Sequence, residues 1–298
     1  MRVCSIDVGS NAIRLIIVEI HKNGQWEQLK KFRVPLRLGT DVFQYKALKP
    51  ETTQALIEAF RKIAKLNKKY RVQKTIALAT SAMRDAQNNK QIVARIKSTS
   101  RIHLNIISGQ EEARIIRNAI IKSNSNHHDK ALLVDIGGGS AEITGLIQNK
   151  VLFSKSYPLG VVRLLSIQKA GQKTVTEHCW SYIKKIKQET LKHQFDVAIG
   201  TGGNFDAIAR LKLLLLKSAP QTHLSKEELL KIKSLWEKMS LNQKLKLGLK
   251  PDRIDVLDLA LELILMIINQ FKIQRIKIPM TGLKEGSIYS LLDNEFIV

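Results

Sequence analysis

Residues 2–20, RVCSIDVGSNAIRLIIVEI, and residues 131–147, ALLVDIGGGSAEITGLI, follow one pattern. Each reads as an apolar strand, a turn of the form acid-x-Gly, and a second apolar strand, which is a hairpin. Asp7 and Asp135 stand 128 residues apart, about the length of one domain. A second pair of segments keeps a similar offset. In KTIALATSAMRDA a strand over 74–79 runs through Thr80 and Ser81 into a helix. In DVAIGTGGNFDAIARL a strand over 196–199 runs through Gly200, Thr201, Gly202 and Gly203 into a helix, with Thr201 120 residues after Ser81. The two matches predict a duplicated α/β unit. The polar, turn-forming stretch 121–130 is the expected linker, giving domains over 1–126 and 127–298, with the C-terminal helix free to pack back on the first.

These pieces suit an anionic ligand. A glycine turn lets backbone approach a ligand closely, and its N–H groups can form a nest for oxygens. A strand entering a helix through Thr-Ser or Thr-Gly-Gly offers unpaired N–H donors at the positive end of the helix dipole. Either loop alone is equally well a tight turn. DIGGGSAE exceeds what a hairpin requires, with three glycines and a serine between two carboxylates.

Composition narrows the field. Apolar residues make up 44% of the 298-residue chain and charged ones 25%, a globular balance that excludes a disordered tail. The two cysteines, Cys4 and Cys179, cannot build a disulfide framework, and no Cys/His spacing reads as a zinc site. His127 and His128, adjacent in a polar loop, are expected to be solvated rather than metal ligands. MRVCSIDVGS lacks the apolar stretch of a signal peptide, and Leu257–Phe271 contains Asp258 and Glu262, so it is expected to be a core helix. A cytoplasmic protein with no membrane partner is the expectation.

The formal charge of +23 sets up a long-range positive field that favours a polyanion. Clusters at 61–71, 183–192 and 226–250 fall in segments with helical apolar spacing, where a solvated face is the alternative reading. Aromatic residues are only 5%, leaving few platforms for stacking single-stranded bases, and no sequence-reading DNA motif is present, so no specific nucleic acid is expected.

Seven blocks occur in order: DVGSNAIRL (7–15), ATSAMRDA (79–86), SGQEEAR (108–114), VDIGGGSAE (134–142), PLGVVRL (158–164), GTGG (200–203) and GLKEG (282–286). Together they resemble the exopolyphosphatase/guanosine pentaphosphate phosphatase family, in its short two-domain form, over Asp7 to Gly286. The resemblance implies two duplicated ribonuclease-H-like domains of the actin, Hsp70 and sugar-kinase superfamily. It implies metal-dependent hydrolysis of a phosphoanhydride by water in an interdomain cleft, and allows a homodimer. Carried over, Glu112 is the catalytic base, while Asp135 and Glu142, with Ser140 beside them, are metal-associated acids. Ser10, Asn11, Arg84, Gly137, Gly138, Gly139, Gly202 and Gly203 match phosphate-contacting loops, which Ser81 extends. Arg253, in PDRIDV, matches an arginine near the substrate channel. Asn204-Phe205-Asp206 after GTGG and Pro158 before LGVVRL depart from the family pattern.

The residue types suit that chemistry. Phosphoryl transfer is mostly positioning and electrostatics. Glu112 can hold and deprotonate water, or be a helix-start acid. Glu111, about 100° around the helix, is expected to be exposed. Oxygen ligands suit Mg²⁺ or another divalent cation, and Ser140 equally suits a cap. Asp7 either bonds its own loop or orients water or metal. Arg84 presents a fork for phosphate oxygens, or pairs with Asp85. Cys4 reads as a core residue, not a nucleophile. Inorganic polyphosphate is the expected substrate. Guanosine pentaphosphate is the alternative, and an ATP-dependent kinase and a non-catalytic polyanion-binding protein are rivals of other classes.

Overall fold

The computed structural model describes residues 1–123, 129–171, 174–190 and 193–293, so His127 and His128 lie outside the described residues. The chain divides into two units, Met1–Ala119 with Leu283–Val298, and Ile120–Gly282.

In the first unit the elements run β1 (Arg2–Val8), β2 (Ile13–Ile20), β3 (Trp26–Val34), α1 (Leu38–Tyr45), α2 (Pro50–Lys69), β4 (Lys74–Ala79), α3 (Ser81–Asp85), α4 (Asn89–Ser100), β5 (Leu104–Ile106) and α5 (Gly109–Lys122), whose last turn crosses into the second unit. Its five-stranded sheet has the order β3-β2-β1-β4-β5. β1, β2 and β3 form an antiparallel meander, and β4 and β5 continue parallel to β1. The strands bury Cys4, Ile6, Ile13, Leu15 and Ala77 in one core with Leu56, Phe60 and Ile63 of α2. Each fully buried Leu, Ile or Phe contributes about 1.5–3 kcal/mol. Burial pushes the Cys4 thiol up to about 12, which keeps it protonated and inert.

The second unit runs β6 (Lys130–Ile136), β7 (Ala141–Ile147), β8 (Lys150–Tyr157), α6 (Val161–Ala170), α7 (Val175–Glu189), β9 (Val197–Thr201), α8 (Gly202–Leu211), a π-helical turn (Lys212–Leu216), β10 (His223–Ser225), α9 (Lys226–Lys238), α10 (Leu241–Lys246), α11 (Pro251–Gln270) and β11 (Arg275–Lys277). Its sheet has the order β10-β11-β9-β6-β7-β8. With β10 set aside as an added edge, the order and directions repeat those of the first sheet, so the two units are copies of one ribonuclease-H-like plan. The apolar tract at 257–271 falls in α11 up to Gln270, with Phe271 as its C-cap, and the helix is buried nearly all round, as a core helix is. No helix among the described residues is long and apolar enough to cross a membrane.

The basic clusters lie on helices, as expected, although the stretch 226–250 forms two, α9 and α10, each started by a capping box at Ser225/Glu228 and Ser240/Gln243. α7 ends at Glu189, and Leu191 and Lys192 lie outside the described residues.

The last helix, α12 (Leu283–Leu292), belongs to the first unit and packs on β1 through a 2.7 Å hydrogen bond between the hydroxyls of Ser5 and Ser287. The GLKEG block supplies its close contact with α5, because a Cβ on Gly286 would sit 2.5 Å from the Ile115 carbonyl oxygen. Gly286→Ala is therefore expected to lower stability by about 1–3 kcal/mol, read as a drop in melting temperature. An unchanged melt would mean that α12 does not need this close approach.

Candidate active site

In the second unit the chemistry gathers at the carboxyl end of β6. Asp135 is the last residue but one of β6, and the register sets it opposite Glu142 of β7 and beside Thr201 of β9, while Glu142 lies opposite Ser156 of β8. Side chains in register share a sheet face, so Ser156, Glu142, Asp135 and Thr201 form one polar row across four strands. The hydroxyls at its ends hold the acids in place. Ser156 Oγ donates to Glu142 Oε1 at 2.7 Å, and Thr201 Oγ1 donates to Asp135 Oδ1 at 2.9 Å.

Strand β9 runs through Gly200 and Thr201, two residues farther than expected, and the helix starts directly at Gly202. The register therefore matches Thr201 with Leu78, which stands beside Asp7, rather than with Ser81. Gly202 is required twice over. Its φ is +86°, and a Cβ there would lie 2.4 Å from Asp135 Oδ1. Asn204, one of the departures from the family pattern, donates from Nδ2 to the Ile136 carbonyl at 2.8 Å, and accepts from Arg253 Nη1 at 3.3 Å. Gly202, Asn204 and Arg253 thus brace the end of β6, and Gly203 is buried in the first turn of α8.

The loop Gly137–Ser140 is clasped by α6. The N–H groups of Val161 and Val162 donate to the carbonyls of Gly137 and Gly138 at 3.1 and 2.8 Å, and Arg163 Nε donates to the Gly139 carbonyl at 2.7 Å. The free donors at the start of α6 are satisfied by the loop itself rather than left for an anion. A Cβ on Gly160 would come within 2.2–2.4 Å of backbone atoms of Gly138 and Gly139, so close approach of two backbones accounts for Gly160. Left-handed backbone does not account for Gly137, whose φ lies outside that region. Ser140 is buried and closes the turn through its carbonyl, which accepts from Gly137 N at 3.0 Å.

The first unit repeats the hairpin with opposite electrostatics. Asp7 faces Arg14 across β1 and β2, at 3.6 Å. Burial pushes the Asp7 carboxyl above its ordinary range, and Arg14 and then Lys284 pull it back. Asp7 is accordingly an ion-paired core acid of its own hairpin. The turn that follows is tied to α1: Ser10 O accepts from Gly39 N at 2.8 Å, and Arg37 donates from N to Asn11 O and from Nε to Asn11 Oδ1, both at 3.1 Å. Ser10 Oγ is 2% exposed and has no hydrogen-bond partner among the described residues.

Ser81 is the first residue of α3, and buried. Arg84 leaves that short helix to donate from Nη1 to the Ile107 carbonyl at 2.8 Å, and lies 3.6 Å from Glu112 Oε2. Glu112 sits in the first turn of α5 and is 6% exposed. Glu111 is half-buried rather than exposed, and its backbone N–H donates to the Ser108 hydroxyl oxygen at 3.1 Å.

Like charges directly opposite on a sheet destabilise it. The first unit answers its acid with Arg14, whereas the same position of the second unit holds Glu142, itself 3% exposed. A pair of carboxylates with oxygen donors only, fixed by two hydroxyls, fits a hard divalent cation such as Mg²⁺. Sequence reading did not assign Thr201, Ser156, Gly160 or Arg163. Thr201 was within reach through the duplication had the strand register been known, and the other three lie 14–24 residues from what they hold.

A Fusobacterium nucleatum protein named bifunctional 3-dehydroquinate synthase/phosphatase is 35% identical over 147 residues, which cover 47% of this chain and 22% of that protein. Exopolyphosphatase 1 of Mycobacterium bovis is 29% identical over 164 residues, covering 55% of this chain and 48% of that protein. These matches thus span about a fifth and about half of the two curated relatives. A crystal structure of an exopolyphosphatase from Cytophaga hutchinsonii superposes with a TM-score of 0.89 at 22% identity, covering 99% of this chain and 98% of that one, so the fold is shared. The model of the Ppx/GppA phosphatase family matches residues 16–295, and the chain belongs to that family.

Proposed function

We propose that the protein is an exopolyphosphatase, releasing orthophosphate from the end of inorganic polyphosphate by direct attack of water. The observation that carries the reading is the acid pair Asp135–Glu142, standing where the duplicate hairpin holds the neutral pair Asp7–Arg14. Family membership and the exopolyphosphatases among the relatives support it.

In this reading Glu112, oriented by Arg84, takes the proton of the attacking water as its oxygen bonds to the terminal phosphorus. The bridging P–O bond breaks, and the shortened chain leaves with the electron pair. A divalent cation bound by Asp135 and Glu142 would neutralise phosphate oxygens, and Mg²⁺ suits those donors. The backbone of Gly137–Gly139, with Ser140, Gly202 and Gly203, receives phosphate on the second unit, near the bracing Arg253. Ser10, Asn11, Ser81 and Arg84 do so on the first, where the unpartnered Ser10 hydroxyl is the donor in waiting. Asp7 is left out of the metal set because Arg14 already answers its charge. Cytoplasmic residence and homodimer formation remain part of the proposal.

The test is phosphate release from polyphosphates of defined length, beside guanosine pentaphosphate and ATP, with magnesium varied. Release from polyphosphate without any acceptor is expected, stopping in excess chelator. Affinity for long chains should weaken steeply as salt rises, because attraction between exposed charges is screened over about 8 Å at physiological ionic strength. Equal turnover of guanosine pentaphosphate with little salt sensitivity would overturn the substrate. A requirement for a phosphate acceptor would replace hydrolysis by a kinase reaction.

A further inference from the structure

Residues 59–110 contain twelve lysines and arginines and a single acid, Asp85, so this stretch carries +11 of the chain's +23. The fold concentrates that charge. α2 and α4 lie side by side, with Arg95 Nη2 donating to Gln54 Oε1 at 3.4 Å. Lys62, Lys65, Lys68 and Lys69 of α2 are exposed, and none makes an ion pair among the described residues. Arg61 alone on this helix meets an acid, Glu58 at 3.5 Å. Lys65 has like-charged neighbours three and four residues away on both sides, an arrangement that destabilises a helix. Lys68 and Lys69 suit the negative end of the helix dipole, but that accounts for the last turn only.

The position of this face is the second observation. β1, β4 and β5 are parallel, so the loops that leave their carboxyl ends, with Ser10, Ser81 and Glu112, share one edge of the sheet. The C-terminal turn of α2 leads instead into the start of β4, and the Arg2 guanidinium at the start of β1 donates to the Tyr70 carbonyl beside it. The seven residues of β1, at about 3.3 Å each, put roughly 20 Å between the two edges. These lysines are too far from the phosphate loops of their own unit to touch a terminal phosphate.

We infer that the exposed face of α2 beside α4 is a second polyanion site, which holds a distal stretch of a long polyphosphate chain while its end is hydrolysed elsewhere. This deepens the proposed function and rests on it. The occupant follows from charge complementarity: a flexible polymer with a negative charge on every unit matches a row of unpaired lysines, and no aromatic residue falls between Lys62 and Lys69 to stack a base.

The experiment compares wild type with K62Q/K65Q/K68Q/K69Q and with a control that neutralises four exposed lysines of the second unit, K184Q/K231Q/K238Q/K246Q. Folding of each is checked by thermal melt. In the first variant KM for long-chain polyphosphate is expected to rise roughly tenfold, the sum of four weak exposed contacts, with kcat and all constants for tripolyphosphate unchanged. The control should move KM much less. Retention of long polyphosphate in excess chelator should fall in the same order, a readout that does not need turnover. An unchanged KM and unchanged retention, an equal rise for tripolyphosphate, or an equal effect in the control would overturn the inference. So would loss of single-stranded RNA retention with polyphosphate retention intact. Failure of the wild type to release phosphate from any polyphosphate would instead overturn the proposed function, with the retention measurement still deciding the site.

Discussion

Glu112→Gln is expected to cut phosphate release by about 10³-fold while leaving retention of polyphosphate intact, since a positioned general base contributes typically 10²–10⁴-fold. The substitution keeps the shape of the side chain and one oxygen toward Arg84, which lies 3.6 Å from Oε2, and removes the negative charge and with it the capacity to accept a proton. The site is suited to so clean an exchange: Glu112 is 6% exposed, and its backbone N–H is already bound to the Ser108 carbonyl at 3.0 Å. Phosphate release at the wild-type rate would remove Glu112 from the reaction. Loss of both retention and release would make it a binding residue instead.

Gly160→Ala should be nearly as damaging by another route. The added methyl would meet the backbone of Gly138 and Gly139 at 2.2–2.4 Å, and backbone cannot swing aside as the end of a flexible side chain can. Either the start of α6 or the glycine loop must move, breaking the bonds from Val161, Val162 and Arg163 that hold the loop carbonyls. A displacement of about 1 Å in a positioning element can cost 10²-fold in rate, and overpacking of this kind costs about 1–3 kcal/mol in stability. Both are expected, read from kcat and from a thermal melt. A variant with the wild-type rate would show that the clasp is dispensable for the reaction.

The hairpins β1–β2 and β6–β7 are legible in the sequence because the paired strands are apolar at nearly every position and the turns between them carry an acid and glycine. The outer strands are not. WEQLKKFRV and KVLFSKSY, which form β3 and β8, lie at the sheet edges, where one face is wet and charged side chains are tolerated, so they lack the signal of a buried strand. The end of β9 is hidden for the opposite reason. Gly200 and Thr201 read as turn residues, yet Gly200 is needed in the strand because the ring of Phe205 fills the space a Cβ would take, at 2.2 Å. For the candidate site, family motifs mark the acids and glycines, and spacing alone does not. The bonds that orient them, Thr201 to Asp135, Ser156 to Glu142 and Arg84 to Glu112, join positions 14–66 residues apart, and only strand register and helix placement bring those together.

The exchange of Arg14 for Glu142 between matching hairpins has a consequence for engineering. The first hairpin sets an acid against a base, Asp7 opposite Arg14, whereas the second sets two acids opposite one another, Asp135 and Glu142. In the proposed reading, an added divalent cation raises the melting temperature of the wild type, and an arginine grafted at position 142 would trade that responsiveness to metal for intrinsic robustness.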